Sequence, residues 1–278
     1  MIWQTARFAI DLSRPRVMGI VNVTPDSFSD GGQHADANAA RAHCDRLLAE
    51  GADRLDIGGE STGPGARTPD LDEELARVLP VLRHAVGLGV PVSVDTSRPE
   101  VMQAALDIGV DIVNDVRALQ RPGALAAVAA HPRAGVCLMH MRGEPGTMQQ
   151  AASYVDVVDE VRRFLADRVA AAVAAGVGEA NIVVDPGIGF GKSPAHNLAL
   201  LARQQELASI GRPILVGWSR KSTLGQITGR PVDQRLAASI AAVLACVARG
   251  AAFVRVHDVA ATVDALKVWQ AAEAAPTA

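Results

Sequence analysis

Eight short apolar runs, each opening into polar residues at its C-terminal end, constrain this chain more than any other feature. The first is Val17-Met18-Gly19-Ile20-Val21, which stops at Asn22 and leads into Thr24, Pro25, Asp26, Ser27 and Gly31-Gly32. The others are Arg54–Gly59, Pro91–Val94, Asp111–Val113, Gly135–Met139, Asn181–Val184, Pro213–Val216 and Ala252–Val254. Such runs suit strands buried on both faces. Between them lie segments with Ala and Leu at helical spacing: Ala37–Ala49 before Gly51, Asp70–Val86, a helix starting near Pro99, Tyr154–Ala175 before Gly176, Arg235–Arg249 and Ala260–Ala271. The alternation predicts an α/β protein of parallel βαβ units. Eight repeats with no Ser/Gly-rich or Pro-rich linker predict one closed (β/α)8 TIM barrel over residues 1–278.

With 49% hydrophobic residues the chain can bury such a core. A formal net charge of −3 and the lack of a long basic run exclude a nucleic-acid groove and a basic membrane-binding face. The longest apolar segment, Leu236–Ala248, is too short and Ala-rich to span a bilayer. The opening MIWQTARFAIDLSRP lacks the unbroken apolar stretch of a secretion signal. Cys44, Cys137 and Cys246 are odd in number and show no CxxC spacing, which suits reduced core cysteines of a cytoplasmic protein.

The residues closing the runs are Asn22, Asp56 or the loop holding Thr62, Asp95, Asn114, His140, Asp185, the Ser219–Lys221 loop, and Arg255 with His257. A barrel of this kind carries its site at the C-terminal strand ends. Taken singly, several have plainer readings: Asp95 as a helix cap before Pro99, Asn114-Asp115 as turn chemistry, Arg220 and Lys221 as surface cations, His140 as a structural histidine. Arg255 and His257 share one face of their strand, and a barrel interior does not easily bury both, so ligand contact is the better reading. The stretch Asp185–Ser193 is one residue short of a nucleotide P-loop and does not fit GxGxxG, so it reads as a glycine-rich turn shaping a pocket wall. Together, carboxylates, an amide, a lysine and an arginine suit a planar N-heterocycle with several N–H donors, joined to an anion.

The tags NVTPDSFSDGG, DPGIGFGK, SRKS and RVHD, in this order, resemble those of bacterial dihydropteroate synthases, and the likeness runs from about Phe8 to Trp269. The resemblance implies a pterin-binding barrel, a homodimer, Mg2+ as cofactor and a place in folate biosynthesis as a sulfonamide target. It implies that 4-aminobenzoate joins 6-hydroxymethyl-7,8-dihydropterin diphosphate, with Asp95, Lys221 and Arg255 in catalytic roles. Carried over position by position, pterin contacts fall on Asp95, Asn114, Asp185, Lys221 and Arg255. Diphosphate and Mg2+ contacts fall on Asn22, Thr62, Arg255 and His257, with Asn22 the metal ligand. The aromatic acid would meet Thr62, Pro64, Phe190, Ser219 and Lys221, with Phe28 on the first loop. Gly63 stands where such synthases commonly carry arginine, and Arg67 could substitute for it; Trp218, where methionine is often found, could narrow the pocket. Two rival readings are a Schiff-base lyase using Lys221 and a pterin-binding homologue with impaired or no catalysis.

Overall fold

The computed structural model describes residues 1–23, 32–60, 69–143, 148 and 153–275. A short antiparallel hairpin, β1 (Ile2–Gln4) and β2 (Ala9–Asp11), precedes the barrel. The eight barrel strands are β3 (Arg16–Asn22), β4 (Arg54–Gly58), β5 (Val92–Asp95), β6 (Ile112–Asp115), β7 (Gly135–Met139), β8 (Ile182–Asp185), β9 (Ile214–Val216) and β10 (Ala251–Val256). Each pairs in parallel with the next, and β10 pairs with both β9 and β3, closing the ring. The predicted (β/α)8 barrel is therefore the observed fold.

The helices are α1 (Gly32–Ala49), α2 (Leu71–Val86), α3 (Pro99–Asp107), α4 (Ala124–Ala129), α5 (Val157–Ala174), α6 (Pro194–Ala202), α7 (Ser222–Thr228), α8 (Leu236–Val247) and α9 (Val259–Glu273). Local chemistry sets several starts. Asp70 caps α2 by accepting from the Glu73 N–H at 2.8 Å, and acidic residues fill the first turn while Arg83 and His84 occupy the last. The segment predicted to be helical from Tyr154 begins only at Val157, because Asp156 takes the cap by accepting from the Val158 and Asp159 N–H groups. Ser193 and His196 form a reciprocal capping box that starts α6, an element the periodicity of the sequence does not predict. The hairpin, α4 and α7 are likewise additions to the predicted pattern.

Period-two alternation divides the buried side chains into two sets. Val17, Leu55, Val94, Val113, Leu138, Val184, Val216 and Val254 face the helices in one large cluster. Met18, Ile112, Cys137, Val183, Leu215 and Phe253 fill the barrel interior together with Trp3 of the hairpin. The strands are staggered, so inward side chains from alternate strands share levels along the axis. The floor level holds Phe253, Arg54, Ile112 and Val183; above it lie Met18, Ser93, Cys137 and Leu215. The next level holds Arg255, Asp56, Asn114 and Asp185, and it is polar throughout. Trp3 closes the floor, meeting Phe253 edge-to-face at 5.1 Å and donating its indole N–H to the Asn181 carbonyl at 2.6 Å. The Arg54 guanidinium is buried against both rings, 3.7 Å from the Phe253 centroid and 4.7 Å from that of Trp3.

Candidate active site

The polar level of the barrel is built around Arg255. Its Nε donates to Asp56 Oδ2 at 2.5 Å and an Nη donates to Asp95 Oδ2 at 2.7 Å, so two carboxylates from different strands fix the plane of the guanidinium. Asp56 is fully buried and also accepts from Asn114 Nδ2 at 3.1 Å and from the Ser93 hydroxyl. Burial works against the Arg255 charge, but Asp56 and then Asp95 outweigh it and hold its pKa above the ordinary value. Burial pushes Asp95 up; Arg255 pulls against that shift, while the Asp56 and Glu60 carboxylates add to it. A pair this enclosed is held by its partners: removing one would leave the other charge buried without compensation.

Asp185 ends β8 and accepts from the Gly187 N–H at 2.6 Å. Burial raises its pKa to about 6, partly offset by that N–H and by Lys221 and Arg255. Lys221 precedes α7, and its ammonium lies 4.3 Å from the Phe190 ring centroid. Burial lowers Lys221 to about 8, helped by Arg255 and opposed by Asp185 and Asp95. The Ser219 hydroxyl accepts from the His257 backbone N–H at 3.2 Å and lies 3.0 Å from Nδ1 of the same histidine. The hydroxyl, with one lone pair taken by that N–H, can donate to Nδ1, and in that arrangement the neutral ring carries its proton on Nε2. Burial, reinforced by Arg255 and Arg220, lowers His257 to about 4 and keeps the ring neutral at ordinary pH.

Asp95, Asn114, Asp185, Phe190, Ser219, Lys221, Arg255 and His257 thus gather at the C-terminal ends of β5 to β10 and in the loops that follow. Asn22 ends the neighbouring β3, where it is exposed and in register with Gly58. Thr62, Gly63, Pro64, Arg67 and Phe28 lie outside the described residues. Asp115 belongs to the turn chemistry, accepting from the Arg117 and Leu119 N–H groups at 2.8 and 2.7 Å. His140 is structural: it is 3% exposed, packed edge-on against Phe164, with Nδ1 facing the Lys192 ammonium. Trp218 does not narrow the pocket; it is buried in the outer core between barrel and helices. Asp56, which the sequence offers only as an alternative to the Thr62 loop and without a role, belongs to the site as the partner of Arg255. Its signal was an acid inside an apolar run, and only the strand register shows that it points inward toward Arg255.

A metal ion at this end would find few protein donors. Among the described residues there is no group of three His, Cys, Asp or Glu suited to one. The exposed Asn22 amide oxygen fits the sparse protein contribution typical of Mg2+, which keeps waters and substrate phosphates as its other ligands.

Residues 18–257 match the family described as pterin binding enzyme. The chain is 54% identical over 276 residues to dihydropteroate synthase of Neisseria meningitidis serogroup B, covering 97% of each chain. It is 47% identical over 264 residues to dihydropteroate synthase of Escherichia coli K12, covering 95% of this chain and 93% of that one. Dihydropteroate synthase of Xanthomonas albilineans, solved with 4-aminobenzoic acid, superposes with a TM-score of 0.93 at 54% identity over 99% of both chains. The same enzyme in complex with 7,8-dihydropteroate superposes with a TM-score of 0.91 at 51% identity, covering 99% of this chain and 100% of that one.

Proposed function

The chain belongs to the dihydropteroate synthases of the pterin binding enzyme family, and from that premise we infer how its residues divide the reaction. The reaction joins 4-aminobenzoate to 6-hydroxymethyl-7,8-dihydropterin diphosphate, forming 7,8-dihydropteroate and releasing diphosphate in folate biosynthesis. Solved relatives holding 4-aminobenzoic acid and 7,8-dihydropteroate support both ends of that equation. The lyase alternative built on Lys221 loses its ground to these relatives.

The observation that carries the division of labour is the polar level of Arg255, Asp56, Asn114 and Asp185 beneath Asp95 and Lys221. Asp185 and Asn114 would take the N–H-rich edge of the pterin, and Lys221 would donate to its ring carbonyl. Arg255, its plane fixed by Asp56 and Asp95, would offer its flat face to the ring. Phe190, Ser219 and Lys221 would line the aromatic acid pocket, with Thr62 and Pro64 contributed from the preceding loop. Asn22, Thr62, Arg255 and the Nε2–H of His257 would face the diphosphate.

Substitution takes place at the exocyclic methylene. The C–O bond to diphosphate breaks, the C–N bond to the aniline nitrogen forms, and that nitrogen gives up a proton. Positive charge developing on the pterin would be stabilised by the nearby Asp95 carboxylate. The aniline nitrogen is nucleophilic without a strong base, so the reaction does not call on the Ser219–His257 pair as a nucleophile–base dyad. Asn22 would hold Mg2+, which when bound neutralises charge on the leaving diphosphate.

Three buried free cysteines suit the reducing cytoplasm. A homodimer would cover the exposed Ile227, Val232 and Leu236 around α7 and α8. The test of the functional reading is diphosphate release, measured with and without 4-aminobenzoate and Mg2+. Release that requires both supports the whole reading. Release without the metal removes Mg2+ from it, and no release with both present favours the impaired homologue.

A further inference from the structure

Lys192 has no part in the chemistry above, yet its ammonium is held closely. The residue is 2% exposed. Its Nζ donates to the carbonyls of Gly187 at 2.8 Å, Phe190 at 3.1 Å and His140 at 3.3 Å, and lies 2.9 Å from His140 Nδ1. Those partners join two strand ends: Gly187 and Phe190 follow β8, while His140 follows β7.

The turn that Lys192 grips carries two site contacts. The Gly187 N–H donates to Asp185, and the Phe190 ring lies beneath the Lys221 ammonium. The turn is pressed hard against β7. Gly187 has φ of +67°, and a Cβ there would sit 1.9 Å from the His140 carbonyl oxygen, so only glycine permits the approach. Lys192 bonds to both sides of this contact.

We propose that Lys192 is a positioning residue for the active site. By holding the Gly187 carbonyl it fixes the residue whose N–H orients the Asp185 carboxylate, and through the Phe190 carbonyl it seats the ring that backs Lys221. This rests on the reading of Asp185 as a pterin contact and of Phe190 and Lys221 as the wall of the aromatic acid pocket.

The surroundings fit that task. Burial, and then the Lys192 and Arg142 charges, lowers His140 to about 2, so the ring stays a neutral acceptor. Burial also pushes Lys192 itself down; Asp185 opposes that shift, and Lys221 and Arg142 add to it. Tyr154 donates to the Gly191 carbonyl at 2.9 Å on the same turn, and its ring packs edge-on against His196.

Lys192→Met keeps the length of the side chain and removes its charge and donors. The measurements are calorimetric Kd for the pterin diphosphate, KM for 4-aminobenzoate, kcat and Tm, all on the full chain. The expected result is a rise of about tenfold in both Kd and KM, with a smaller fall in kcat. A lower Tm with Kd and KM unchanged overturns the proposal, because that is what a purely structural lysine would give. Asp185→Ala is measured in parallel. If it weakens pterin binding and Lys192→Met does not, only this inference fails; if it leaves pterin binding intact, the reading of the site fails with it. Should Lys192→Met not fold, Lys192→Gln retains two N–H donors without the charge. There a rise of about threefold supports the proposal and unchanged affinities overturn it.

Discussion

Arg54→Met is expected to make the protein more stable. The Arg54 guanidinium lies at the barrel floor, and its Nε and both Nη atoms find no hydrogen-bond partner among the described residues. Burial is the leading cause that lowers its pKa from the ordinary arginine value to about 9. That difference places the charged group about 5 kcal/mol worse off in the barrel than in water. Stacking on Phe253 and Trp3 returns about 2 kcal/mol per ring for a desolvated cation. A methionine would remove the charge, occupy much of the space and keep contact with both rings through its sulfur. Replacing buried ionic groups by apolar ones of similar size commonly gains about 1–4 kcal/mol. The expected net gain is at the lower end, about 1–2 kcal/mol, or roughly 2–8 °C in Tm for a chain of this size. The unfolded guanidinium titrates at the ordinary arginine value and the folded one near 9, so the penalty is complete below pH 9 and relaxes only as pH rises above it. Thermal unfolding followed by circular dichroism at pH 6 and pH 8 should therefore show the same gain. A Tm lowered by more than about 3 °C at both pH values would refute the reasoning, showing that the floor needs the cation.

Other perturbations separate the parts of the site. Asp185→Ala should chiefly raise the Kd for the pterin diphosphate, whereas Asp95→Asn should chiefly lower kcat; equal loss of both parameters in both variants contradicts the division. Asp185 is a carboxylate above about pH 6 and an acid below it. Pterin affinity should accordingly weaken by about tenfold per pH unit below 6, and a calorimetric Kd that stays flat from pH 7 to pH 5 removes Asp185 as the acceptor. Arg67→Ala should raise KM for at least one substrate if Arg67 replaces the arginine commonly found at position 63; unchanged Michaelis constants for both end that idea. The interaction at stake is a charge-assisted hydrogen bond of about 1.5–3 kcal/mol.

The barrel was legible because parallel strands buried on both faces need apolar runs, and these appear eight times with helical segments between. The ends were legible only to within a few residues. β10 ends at Val256, so Arg255 lies inside the strand as expected, whereas His257, expected to share its strand face, falls just beyond the strand end. The hairpin left no pattern, since Ile2–Gln4 and Ala9–Asp11 are three residues each and hold their place through Trp3 and the barrel floor. Most site residues were visible as polar strand ends. Asp56 was harder to assign because Arg54 and Asp56 put two charges into one short strand, and alternation alone says only that they share a face. Which face, and which partners, depend on strands far apart in the chain. Trp218 shows the converse: it adjoins the site in sequence, but its neighbour Ser219 faces the pocket while the indole turns outward.

The bond between Arg255 and Asp56 spans 199 positions of sequence. Its two residues come together only when the final strand inserts between the first and the penultimate strands of the ring. Loop-closure entropy must be met before that contact can return any energy, which tends to make such long-range pairing late in folding. Recovery of turnover during refolding should then trail the recovery of helical signal, making the enzyme's own activity a clock for ring closure.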